Sequence, residues 1–87
     1  MKLIYCPNCK DLVRLFFDHR TCKCGLSGGM YKKDGRHAII DGQAIPIGID
    51  NYKFQQAIDN QEEEDCGYGT LFPAFVIPKG SAKIELV

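Results

Sequence analysis

Cys6-Pro7-Asn8-Cys9 and, after twelve intervening residues, Cys22-Lys23-Cys24-Gly25 decide how this chain is read. Four thiols arrive as two close pairs, each in a tight turn. A tetrahedral ion asks for this arrangement, because two ligands from one turn cover one side of it and leave the other side to a second turn. Pro7 narrows the backbone after Cys6, and Gly25 lets the chain fold back after Cys24. The pattern predicts Cys6, Cys9, Cys22 and Cys24 as thiolate ligands of a structural metal. Zinc is the expected ion, with iron as the alternative that the same four sulfurs also suit. The second pair has one intervening residue instead of two, a tighter turn that still chelates. A closed four-thiolate site keeps no open position for water, so no catalytic residue is expected at the metal.

A metal matters more in a chain of 87 residues than in a longer one. Roughly 60–65% of the unfolded surface is buried at this size, and such cores often need a staple. Composition is that of an ordinary globular protein, and the net charge is zero. The halves differ, however. Residues 1–40 hold eight Lys and Arg against three Asp, and residues 41–87 hold three Lys against eight acids. Such a split suits a basic half that meets phosphate, or two halves that face each other. No run approaches the roughly 18 apolar residues needed to span a bilayer. Five cysteines leave Cys66 alone, which is unremarkable in a reducing compartment, so a cytoplasmic location is expected.

Working outward from the thiol turns, Lys2–Tyr5 reads as a strand delivering Cys6. Leu12–Phe17 reads as a hairpin arm that brings the two turns face to face, although so short an apolar run also fits a helix. Leu26-Ser27-Gly28-Gly29 reads as a flexible link. Met30–Lys33, Arg36–Ile40 and Gln43–Ile49 then form strands of a meander, turned by Asp34-Gly35 and Asp41-Gly42. Pro46 cannot donate to a ladder, so its strand should be an edge or face a gap. Asp50 or Asn51 caps a helix running to Gln61, with Phe54, Ala57 and Ile58 as its apolar stripe. Leu71–Ile77 is a last apolar strand, and Lys83–Val87 an edge strand or tail. The fold expected is therefore a small β-rich α+β protein. Its N-terminal ribbon (1–29) continues into an antiparallel meander with one short helix (30–87), packed as one compact unit.

Beyond the thiols the signals are weaker. Ser27, Gly28 and Gly29, followed by Lys32, Lys33 and Arg36, suit a backbone nest for an anion ringed by cations. Nucleic acid is one partner of that kind, met by Lys10, Arg14, Arg20, Lys23, Lys32, Lys33 and Arg36. Glu62, Glu63, Glu64 and Asp65, with Tyr68, form an acidic stretch fit to meet a basic protein, and Tyr31 and Tyr52 are further contact candidates. His19 and His37 read as a surface residue and a half-buried one. Acids beside Cys66 would raise its pKa and argue against a nucleophile.

Two resemblances bear on function. A strand followed by Cys6-Pro7-Asn8-Cys9 and an apolar run resembles the start of a glutaredoxin, which implies thiol oxidoreductase activity with Cys6 at a helix N-terminus; it leaves Cys22 and Cys24 without a role. More of the chain is similar to a family of short bacterial and phage-borne zinc-ribbon proteins with no assigned activity. That similarity rests on the two cysteine pairs, Ser27-Gly28-Gly29 with Tyr31, Ala44-Ile45-Pro46-Ile47-Gly48 with Asn51 and Phe54, and Ala74-Phe75-Val76-Ile77-Pro78. It implies a ribbon joined to a small sheet and no catalytic residues. The expected function is a non-enzymatic, zinc-stabilised module that binds a protein, with nucleic-acid binding and thiol oxidoreduction as alternatives.

Overall fold

The computed structural model describes residues 1–61 and 69–87. Among the described residues eight short strands form two four-stranded sheets, and one short helix lies in the chain between Ile49 and Ala74, two residues of the same sheet. The first sheet has the order β2-β1-β6-β7, from Leu12–Arg14, Lys2–Tyr5, Ile45–Ile49 and Ala74–Val76. The second has the order β3-β4-β5-β8, from Arg20–Thr21, Ser27–Tyr31, Ala38–Gly42 and Ile84–Leu86. All pairs are antiparallel except β5 with β8, which run parallel with Ile39 opposite Glu85. Each sheet takes strands from both sides of residue 29.

The core lies between the sheets and is small. Ile4, Leu15, Ala38, Ile40, Ala44, Ile77 and Ile84 form it, with Val13 and Tyr31 packed against it. Ile4 is wholly buried at the centre of the first sheet and Ile40 nearly so in the second. At about 25 cal/mol per Å² of apolar surface, so few side chains stabilise the fold only modestly.

The expected meander does not form. β4 and β5 make a hairpin, but β6 leaves them and pairs with β1 and β7. The two Asp-Gly steps explain the difference. At Asp34-Gly35 the chain turns back on itself: Lys32 N–H donates to the His37 carbonyl at 2.8 Å, Gly35 has φ +68°, and the Asp34 carboxylate accepts N–H bonds from Arg36 and His37. At Asp41-Gly42 the next residue, Gln43, donates instead to the Leu26 carbonyl at 2.9 Å. That bond steers the chain off the second sheet and into the first. Both steps are turns, but only one makes a hairpin.

Pro46 sits in an inner strand without cost to the ladder. Its carbonyl accepts from Ile77 N–H at 2.9 Å, and β7 ends one residue earlier, at Val76. The missing donor therefore falls where the ladder stops. Ser27-Gly28-Gly29 is not a link: the three residues are buried in β4 and paired to β5, and Gly28 and Gly29 to β3 as well. The helix α1 spans Asn51–Asp59, capped by Asp50, whose carboxylate accepts Lys53 N–H at 3.0 Å. Asn60 ends it short of Gln61. It buries no residue fully; Phe54 packs edge-on against Phe72, with centroids 4.8 Å apart. The strand expected over Leu71–Ile77 is confined to Ala74–Val76, following Pro73. No helix is long and apolar enough to cross a membrane among the described residues.

Candidate metal centre

Two turns face each other at one end of the first sheet. β1 ends at Tyr5 and delivers Cys6, whose N–H donates to the Asp11 carbonyl at 3.0 Å. The Cys6 carbonyl accepts from Lys10 at 2.8 Å, and Lys10 takes a left-handed conformation, φ 62°, to close that turn. In the second turn the Cys22 carbonyl accepts from Gly25 N–H at 3.1 Å, and Cys22 N–H donates to the Ser27 carbonyl at 2.9 Å. One side chain joins the turns: the Asp11 carboxylate accepts Lys23 N–H at 3.0 Å. Leu12–Arg14 pairs with β1 as a strand, so no helix follows Cys9 to depress the Cys6 thiol.

This scaffold brings all four predicted sulfurs together. The Cys6, Cys9, Cys22 and Cys24 sulfurs lie within 4.8 Å of one another, with Cys22 to Cys24 at 3.5 Å and Cys6 to Cys24 at 3.7 Å. A disulfide would need about 2.05 Å, and the four are free thiols. Four sulfurs at about 2.3 Å from a tetrahedral ion stand roughly 3.8 Å apart. The cluster matches that spacing, so it can hold a metal ion. No match exists among protein-family models, curated proteins or solved structures.

Its electrostatics agree with that geometry. The Ser27 hydroxyl is completely buried and has no hydrogen-bond partner within bonding distance. The Ser27 hydroxyl is the largest of the influences that lower the Cys6 thiol, and together with the backbone N–H groups of Cys9 and Asn8 it holds that thiol down at about 6, against burial, which raises it. A buried hydroxyl without an oxygen or nitrogen acceptor is costly. A thiolate at Cys6 supplies the acceptor, and a bound cation would offset the charge that such a thiolate buries. Cys6 and Cys22 are buried, Cys9 half-buried and Cys24 exposed, so the site is covered on one side only.

The other predicted residues disperse. His19 bonds the Asp41 carboxylate at 2.7 Å and His37 bonds Asp34. Lys32 pairs with Glu85 at 3.2 Å, and Lys33 is exposed. Ser27, Gly28 and Gly29 are extended and buried, without the left-handed residue a nest requires. Arg14 and Arg20 both lie over the Phe16 ring, 5.2 and 4.3 Å from its centroid. Tyr31 is half-buried and Tyr52 exposed on α1. Glu62, Glu63, Glu64, Asp65, Cys66 and Tyr68 lie outside the described residues. Asp11 and Ser27 are the supporting residues that sequence reasoning missed. Asp11 follows the first thiol turn closely enough to have been suspected, and Ser27 was singled out for an anion nest and not for the thiols.

Proposed function

We propose that the ion is zinc and that this chain is a non-enzymatic, zinc-stabilised ribbon module that binds a protein. The observation that carries this reading is the convergence of four sulfurs on one centre. With every coordination position taken by sulfur, a zinc ion there is structural and has no site for a substrate. A protein partner is supported by β7, the last strand of the first sheet. All three of its residues are exposed, Phe75 and Val76 at 54% and 65%, and Leu71 nearby is at 87%. An apolar edge of this kind accepts an added strand from a peptide, whose main chain satisfies the unpaired edge groups.

Elemental analysis of the purified chain, joined to affinity capture with the wild type and a Phe75→Lys/Val76→Lys variant, tests both parts. The expected result is one zinc per chain and a captured protein that the variant loses. Iron in place of zinc, or no metal, overturns the first part. A partner that the variant retains, or no partner at all, overturns the second.

A further inference from the structure

A cleft of about 710 Å³ opens where the two sheets and α1 meet, and no cysteine lines it. Lys2 from β1, Arg14 from β2, Arg36 from the turn after β4 and Lys83 just before β8 all line it. Three aromatic side chains, Phe17, Tyr31 and Phe54, line it as well. The volume is that of a small-molecule site. The ion pairs among the described residues are His19–Asp41, Lys32–Glu85 and His37–Asp34, and none of the four cations takes part in them. Asp34 is the described acid nearest to Lys2 in effect, and its carboxylate is already engaged by His37 and two backbone N–H groups.

The aromatic part is held in place. The Tyr31 hydroxyl accepts Lys2 N–H at 2.7 Å, and the Phe17 ring leans on Tyr31 with centroids 5.9 Å apart. The Lys2 side chain reaches over the Tyr31 ring, 5.8 Å from its centroid, and donates to the Arg36 carbonyl. Four like charges in one concavity repel one another, and low-dielectric walls concentrate their field on whatever anion enters. Burial and the neighbouring Lys83 charge push the Lys2 pKa down, against Asp34, which raises it, and no acid among the described residues forms an ion pair with Lys2. Two guanidinium forks favour phosphate over a single carboxylate, because phosphate offers oxygens to both. The rings beside them suit a flat π-system.

We propose that this cleft binds a nucleotide, its phosphate held by Lys2, Arg14, Arg36 and Lys83 and its base placed against Phe17, Tyr31 and Phe54. The ligand is either a free mononucleotide or the 5′-phosphorylated end of a single strand, which present the same chemistry. The proposal is independent of the protein partner inferred above.

The test is amide chemical-shift titration of the full purified chain with adenosine monophosphate, inorganic phosphate and 5′-phosphorylated hexa-adenylate. Adenosine monophosphate should move the amides of Lys2, Tyr31 and Arg36 saturably in the millimolar range or below, and inorganic phosphate should bind about tenfold more weakly. Arg14→Ala/Lys83→Ala should weaken the nucleotide by at least about tenfold, as expected for lost charged hydrogen bonds. Phe17→Leu should weaken the nucleotide and leave inorganic phosphate unchanged. Tighter binding of hexa-adenylate at these amides assigns the site to a strand end, and equal or weaker binding assigns it to the free nucleotide; either sustains the proposal. It is overturned if adenosine monophosphate moves none of these amides, if phosphate binds as well as the nucleotide, or if the double variant binds like the wild type.

Discussion

The thiol turns and the β4–β5 hairpin lie next to each other in the chain and are held by different physics. Between Cys6 and Gly25 the buried side chains are Leu15 and two cysteines, Cys6 and Cys22. The only strands there are three and two residues long. Between Ser27 and Gly42 five register pairs align β4 with β5, and Ala38 and Ile40 are buried in the core. One region has chelating groups in place of an interior, and the other has an interior and no chelating groups. A short chain can therefore divide the work, with each part supplying what the other lacks.

Removing the metal is the largest perturbation this contrast predicts. A structural zinc contributes on the order of 10 kcal/mol to the folding of the segment that holds it. Excess chelator, or Cys22→Ser, should release the amides of Cys6, Lys10, Cys22 and Gly25, all hydrogen-bonded within or beside the thiol turns, to rapid hydrogen exchange. The amides of the β4–β5 ladder should stay protected. If both sets lose protection together, the two regions form one cooperative unit and the contrast fails.

The thiol end was legible in the sequence because chelation is local. Two ligands from one turn impose a spacing that can be counted along the chain, and all four sulfurs lie where the count puts them. Strand Lys2–Tyr5, the first half of the arm expected over Leu12–Phe17 (the strand stops at Arg14), the Asp50 cap and the Asp34-Gly35 hairpin were legible for the same reason. What failed was long-range pairing. Asp41-Gly42 carries the same dipeptide signal as Asp34-Gly35, and only the Leu26 carbonyl, far back in the chain, turns it into a corner between sheets. Ser27-Gly28-Gly29 looked flexible because glycine usually is, yet two neighbouring strands fix it. The cleft's cations come from four separate segments, so no local motif announces them.

The corner can be tested against the hairpin by one substitution in each. A Cβ at Gly42 would stand 2.0 Å from the Leu26 carbonyl oxygen, whereas at Gly35 the nearest atom is Phe17 Cζ at 3.5 Å. Both glycines are left-handed, at φ +65° and +68°, which costs an alanine roughly 1–2 kcal/mol. At Gly42 the clash with backbone adds about 1–3 kcal/mol more. In urea denaturation of the metal-loaded chain, Gly42→Ala should thus destabilise clearly more than Gly35→Ala. Equal costs would mean that the Leu26 contact does not hold the corner.

Ser27 belongs to both regions, and its substitution gives the smallest and sharpest contrast. Its backbone is part of β4, while its buried hydroxyl acts on Cys6. With metal bound, the hydroxyl donates toward a thiolate, and losing an outer partner of a metal ligand typically costs about 10–100-fold in affinity. Without metal the thiol turns open, as predicted above, and the hydroxyl no longer faces a buried thiolate, so alanine should cost that state little. Ser27→Ala should therefore weaken zinc in competition with a chelator while leaving the stability of the metal-free chain nearly unchanged. A variant that loses stability equally with and without metal would make Ser27 a packing residue of the hairpin alone. A loss confined to the metal-bound state would place the junction between chelated and packed structure at this one hydroxyl.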